Sequence, residues 1–97
     1  MTLLIWNVRG FNDPLKQKNV IDRIRYIKAN IVCLLETRVK ENKSQSIVGK
    51  YFKGWKYANN YVSAINGRIW FLWKGKMQVD LIDSMDKCIT CSITSET

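Results

Sequence analysis

Two apolar runs, Leu3 to Trp6 and Ile31 to Leu35, are each closed by one polar residue, Asn7 and Glu36, and together they constrain this chain more than any other feature. About two dozen residues with helical spacing lie between them, and a strand, helix and strand of that size form a right-handed crossover whose strands run parallel. Asn7 and Glu36 then reach the same edge of one sheet. Ligands of open α/β sheets gather beyond the carboxyl ends of the strands, so a carboxamide oxygen and a carboxylate at that edge amount to half of a site for a hard cation. Ile31 to Leu35 is apolar without alternation, as expected of an interior strand covered on both faces.

Between the strands, Asn12 and Asp13 precede Pro14 and offer a capping oxygen before a residue of preset φ. A helix is predicted from Pro14 to about Ala29. Val20, Ile21, Ile24 and Ile27 form its buried stripe, with Lys16, Lys18, Arg23, Arg25 and Lys28 as a solvated face. Ser44 or Asn42 is expected to cap a second short helix that carries Ile47, Val48, Tyr51 and Phe52 to the core, with Gly54 ending it. From Trp55 the period shifts to two. WKYA, YVSAI, RIWFLW, MQVDLI and CITCSI read as consecutive strands, with turns at Asn66–Gly67, Lys74 to Lys76 and Ser84 to Lys87. One α/β domain over residues 1–97 follows. It must bury Trp6, Trp55, Trp70 and Trp73 with little core to do so.

The net charge of +8 is concentrated: Lys16 to Lys56 holds eleven of the sixteen Lys and Arg but only Asp22, Glu36 and Glu41 as acids, while the remainder balances. Such a block attracts nucleic acid or another polyanion, although a solvated Lys-rich face is the commoner cause of any single run. Cys33, Cys88 and Cys91 are an odd set that fits a reducing, intracellular compartment. Cys88 and Cys91 have the spacing of a redox or zinc pair, but residues three apart on a strand face opposite ways, and the chain has no His to complete a zinc site. The opening MTLLIWNVRG lacks the basic leader and longer apolar run of a signal peptide. No stretch reaches transmembrane length, so a membrane partner is not expected.

The order TLLIWNVRGFN, helix, ANIVCLLETRVKE, then NGRIWFLWKGK resembles the N-terminal part of the endonuclease/exonuclease/phosphatase family. Its Trp-Asn-Val-Arg-Gly opening, Leu-Leu-Glu-Thr-Arg segment and Gly-Arg-Ile-Trp strand are similar to the endonuclease domains of plant LINE-type retrotransposons. The resemblance spans nearly the whole chain and less than half of the family's domain. It implies a deoxyribonuclease-I-like fold, here the N-terminal half of a two-sheet α/β sandwich with helices on one side of a mixed sheet. A truncated sandwich of this kind is expected to leave the inner faces of RIWFLW and CITCSI bare, to expose apolar surface and to self-associate.

The resemblance also implies roles. Asn7 matches an Asn of the family's metal and phosphate network, and Glu36 matches its metal-binding Glu, with Mg²⁺ as cofactor, DNA as partner and the nucleus as a site of action. On geometry alone, and not from the family's pattern, Arg9, Thr37, Arg38 and Lys40 flank the same edge and are expected within reach of phosphate oxygens. The family's Gly-Asp-x-Asn and Ser-Asp-His segments are absent, and the chain contains no His. Metal-assisted phosphodiester hydrolysis also needs a group to orient the attacking water and stabilisation of the leaving oxygen, so little or no nuclease activity is expected from this polypeptide alone. Three alternatives stand beside this reading: a noncatalytic basic nucleic-acid-binding module, a phosphatase of the same family, and plain structural roles. In the last, Asn7 begins a turn before Arg9 and Gly10, and Glu36 is a strand-end acid paired with Arg38.

Overall fold

The computed structural model describes residues 2–62, 69–84 and 89–94. Among them the chain is a small mixed α/β protein with two helices and two sheets: β1 (Leu3–Asn7), α1 (Pro14–Ile27), β2 (Ile31–Leu35), α2 (Glu41–Tyr51), β3 (Lys56–Asn59), β4 (Ile69–Trp73), β5 (Gln78–Ser84) and β6 (Ile89–Thr94). The larger sheet has the order β1-β2-β4-β3, and β5 and β6 pair separately as an antiparallel ribbon. As the crossover demands, β1 and β2 are parallel, with Asn7 opposite Leu35. β4 runs antiparallel to both β2 and β3.

The start of α1 follows from its residues. Asp13 accepts a hydrogen bond from the Leu15 amide at 2.9 Å, and Pro14 occupies the first helical position. The helix ends at Ile27, slightly before the expected Ala29, because Lys28 turns left-handed at φ 55°. Its amide and that of Ala29 bond back to Arg25 and Ile24, which satisfies two carbonyls that the helix end would otherwise strand. α2 departs further from expectation. Its N-cap is Lys40, without a side-chain cap, and neither Asn42 nor Ser44 serves that role. Ser44 is buried within the helix and donates its hydroxyl to the Glu41 carbonyl at 2.7 Å. α2 stops at Tyr51 with Phe52 as cap, and Gly54 lies in the turn that follows, at φ 86°.

Both helices cover one face of the larger sheet. Val20, Ile21 and Ile24 of α1 join Val32 and Leu34 of β2, Trp70 and Leu72 of β4, and Phe52 in a single core, with Leu4 and Trp6 against it. The opposite face presents Leu3 and Ile5 of β1, Ile31 and Cys33 of β2, and Phe71 and Trp73 of β4, by alternation along registered strands. Here the expectation of a bare inner face is corrected over β4. Met77 and Val79 pack against Ile31, Phe71 and Trp73, so β5 closes part of that side. What stays open is β1, where Leu3 and Ile5 are 55% and 60% exposed. The difference arises because the turn at Lys74 to Lys76 returns the chain over β4, the strand it has just left.

Cys33 is half-buried on this second face, and burial pushes its thiol up to about 11. Tyr61 and Val62 lie in a turn instead of the expected YVSAI strand. The remainder of that segment, the Asn66–Gly67 turn, the residues after Ser84 in the Ser84–Lys87 turn, and Cys88 lie outside the described residues.

Candidate functional site

The site edge is built from two loops that leave the parallel strands side by side. The Val8 amide bonds to the Leu35 carbonyl and the Phe11 amide to the Thr37 carbonyl, both at 3.0 Å, while Asn12 Nδ2 donates to the Arg38 carbonyl at 3.0 Å. The loops are therefore zipped together for several residues beyond the sheet. Val8, Phe11, Thr37 and Val39 are fully buried, and the alternation turns Arg9, Glu36, Arg38 and Lys40 outward. Tyr61 holds the far end by donating its hydroxyl to the Val39 carbonyl at 2.6 Å.

Glu36 and Arg38 both adopt left-handed backbone, at φ 54° and φ 55°. Non-glycine residues in that region carry roughly 1–3 kcal/mol of strain each, and such residues gather where side chains must be aimed for a purpose. Here the strain aims a carboxylate and a guanidinium outward on either side of buried Thr37.

Asn7, Arg9, Glu36 and Arg38 come together. Arg9 Nε donates to Glu36 Oε2 at 3.2 Å, the ion pair found among the described residues, with the Arg9 side chain 71% and the Glu36 side chain 31% exposed. This guanidinium bond is the main cause that holds the Glu36 carboxyl below its ordinary range. Desolvation opposes it, and the Arg9 charge, a hydrogen bond from Asn7 and the Arg38 charge add to the lowering. Because the folded-state pKa is depressed, the arrangement favours the fold above the ordinary carboxylate range, and that contribution is lost as pH falls through the lowered value. The other end of the Asn7 carboxamide accepts the Arg9 amide at 3.3 Å, so Asn7 also shapes the turn at the strand end.

The structural alternative for Asn7 and a cluster containing Glu36 thus coexist in one arrangement, but the partner of the carboxylate is Arg9, with Arg38 acting only through its charge. Lys40 sits apart at the start of α2, where its carbonyl receives the Lys43 and Ser44 amides. Thr37 is excluded from phosphate contact because its side chain is fully buried. Sequence reading did not anticipate the Arg9–Glu36 pair. The available signal was the parallel register: with Asn7 opposite Leu35, residues one and two positions further along must meet. Lys16 was also missed as a contributor. Its ammonium reaches from α1 to the Arg9 carbonyl at 3.1 Å and steadies the turn.

Among the described residues no group of three or more His, Cys, Asp or Glu gathers as a metal cage. One carboxylate and one carboxamide do fit the sparser kind of Mg²⁺ site, in which most ligands are waters and substrate phosphate. No helix among the described residues is long and apolar enough to cross a membrane. No protein-family profile matches this chain, and no curated protein matches it either.

Proposed function

We propose that this chain forms the N-terminal part of a magnesium-dependent DNA endonuclease domain, a deoxyribonuclease-I-like two-sheet sandwich in its complete form, and that these residues do not turn over DNA alone. The observation that supports this most is the meeting of Asn7 and Glu36 beyond the carboxyl ends of the parallel pair, with Arg9 and Arg38 beside them. Glu36 and Asn7 would hold the cation, which when bound supplies positive charge at a scissile phosphate. Arg9 and the cation compete for one carboxylate. A phosphate arriving at the edge offers Arg9 another acceptor and so frees Glu36. Arg38, exposed on the same side, is placed to position the backbone of the substrate. With no His anywhere in the chain, the proton transfers of hydrolysis fall to groups these residues do not contain.

Two measurements test this reading. Supercoiled plasmid in Mg²⁺ is expected to stay un-nicked; magnesium-dependent nicking that disappears in Glu36→Ala would overturn the inactivity. Mn²⁺, as a paramagnetic substitute, is expected to broaden the Asn7 side-chain amide resonances, and Glu36→Gln to weaken that effect by about tenfold or more, since even outer-shell changes at metal sites cost 10–100-fold. Wild-type spectra untouched by Mn²⁺ would remove the metal from the proposal.

A second reading has its own support in the cations of Lys16 to Lys56: a noncatalytic module that binds nucleic acid through charge. If about five phosphates are neutralised, log affinity falls with log salt at a slope of roughly −4 to −5 without any magnesium requirement. Affinity indifferent to salt would exclude it. Under either reading, the open Leu3 and Ile5 face gives the chain a route to self-association.

A further inference from the structure

At the end of the sheet opposite Asn7 and Glu36, where β2 begins and β4 ends, α1 and α2 both terminate around a concavity of about 390 Å³. Its floor is Ile21, Ile24 and Phe52, and its rim carries Arg25 and Lys28 from α1, Lys50 and Lys53 from α2, and Lys74 from the end of β4. Among the described residues no acid lines it and none of the five cations makes an ion pair. These residues are spread over about half of the sequence, so no linear motif marks them. Only the fold collects them.

Helix C-termini attract cations, which offers a purely structural explanation, but the magnitude is insufficient. Each helix end carries roughly −0.5 of an elementary charge, so two ends offset about one of the five positive charges. The surplus of about four sits in one concavity. Two of the ammonium groups are also held in place by aromatic rings: Lys74 lies 5.3 Å from the Trp55 ring centroid and Lys50 lies 5.1 Å from that of Tyr51. Lys28 adds a separate observation. It occupies the left-handed cap of α1 at φ 55°, a position where Gly is favoured and any side chain costs on the order of 1 kcal/mol. That cost places a cation on the rim.

We infer that this concavity is a binding site for a phosphate-rich anion, either a free polyphosphate or the backbone of a nucleic acid strand. It rests on neither the metal edge nor any catalytic role, since its residues lie at the other end of the sheet. A compact anion with several charges meets four or five donors at once there, and charge-assisted hydrogen bonds from Lys and Arg are the strong class for phosphate oxygens. The apolar floor excludes water from one side and strengthens each of them.

The test uses inorganic tripolyphosphate in isothermal titration, with a fluorescein-labelled oligothymidylate as the second probe. One-to-one binding of tripolyphosphate is expected. Lys28→Gly keeps the fold, because glycine suits that backbone, and Lys53→Glu changes only an exposed side chain. Lys28→Gly is expected to weaken binding by about tenfold, the loss of one charge-assisted bond, and Lys53→Glu by more, because it also sets a carboxylate against the anion. Lys18→Glu, the same charge reversal on α1 outside the concavity, is expected to leave it unchanged. Displacement of the oligonucleotide by tripolyphosphate would assign the site to nucleic acid backbone. Independent binding of the two would assign it to free polyphosphate. Absence of tripolyphosphate binding, or equal weakening by Lys18→Glu and Lys53→Glu, would overturn the site.

Discussion

Trp70→Ala is expected to lower the melting temperature by on the order of 20 °C, because removing a buried Trp costs roughly 3–5 kcal/mol and each kcal/mol shifts a domain of this size by about 4–8 °C. Trp70 is fully buried near the start of β4, with the Phe11 ring 5.5 Å away and the Tyr57 ring 5.6 Å away, both edge to face. Its indole N–H donates to the Tyr61 hydroxyl at 3.1 Å, and that hydroxyl donates to the Val39 carbonyl. The loss is therefore more than a cavity. It releases the residue that anchors the loop carrying Glu36 and Arg38, so the site edge loosens with the core. Trp70→Phe keeps the ring contacts and gives up only the hydrogen bond, at about 1 kcal/mol for that bond beyond the smaller ring. Circular dichroism melts of the two variants should separate widely. If Trp70→Ala melts within a few degrees of the parent chain, the core is not centred on Trp70.

A gain of stability is expected from Tyr57→Phe. The Tyr57 hydroxyl is buried beside Ser44, Asn59 and Tyr61, and it makes a well-formed hydrogen bond to none of them. A buried hydroxyl left in that state costs roughly 1–3 kcal/mol, so deleting it raises the melting temperature by several degrees. A pH dependence distinguishes this from a simple packing effect. Burial is the main cause that raises the Tyr57 phenol well above its ordinary 10.0. The unfolded chain ionises this group as pH passes 10 and the folded chain does not, so folding weakens with rising pH there. Tyr57→Phe removes that part of the alkaline loss. A lower melting temperature in the variant would mean that the hydroxyl is bonded and contributes to the fold.

The first half of the chain was the more legible, for physical reasons that individual residues make plain. Asp13 and Pro14 start α1 through interactions confined to a few neighbours, and the apolar runs at β1 and β2 report burial directly. Hence the crossover, and the shared edge of Asn7 and Glu36, could be read from sequence. Local rules failed where tertiary contacts overrode them. Ser44 has the chemistry of a helix cap, yet its side chain is drawn under α2 beside the buried Tyr61 and the half-buried Tyr57, and the chain instead enters the helix at Lys40, next to the anchored Val39. The left-handed backbone at Glu36 and Arg38 left no trace in composition, because neither is a residue that favours it. Arg9 reads from sequence as one of the cations flanking the edge, and its bond to Glu36 follows from the register of the parallel strands. Arg25, Lys28 and Lys74 read individually as solvation, and their convergence depends on two helix ends and a strand end meeting.

The pairing of Asn7 with Leu35 has a consequence for how this chain tolerates change. Asn7 ends one strand and Glu36 follows the other directly, and the register of those strands is independent of the length of the segment joining them, since α1 lies outside the ladder. Residues can be gained or lost after Asn12 and before Asn30 wherever the α1 stripe still reaches the sheet and Lys16 still meets the Arg9 carbonyl, and the edge survives. A single residue inserted within Leu3–Asn7 or Ile31–Leu35 moves every later side chain of that strand to the other face. Drift in length is thus permitted between the two halves of the edge and forbidden inside each.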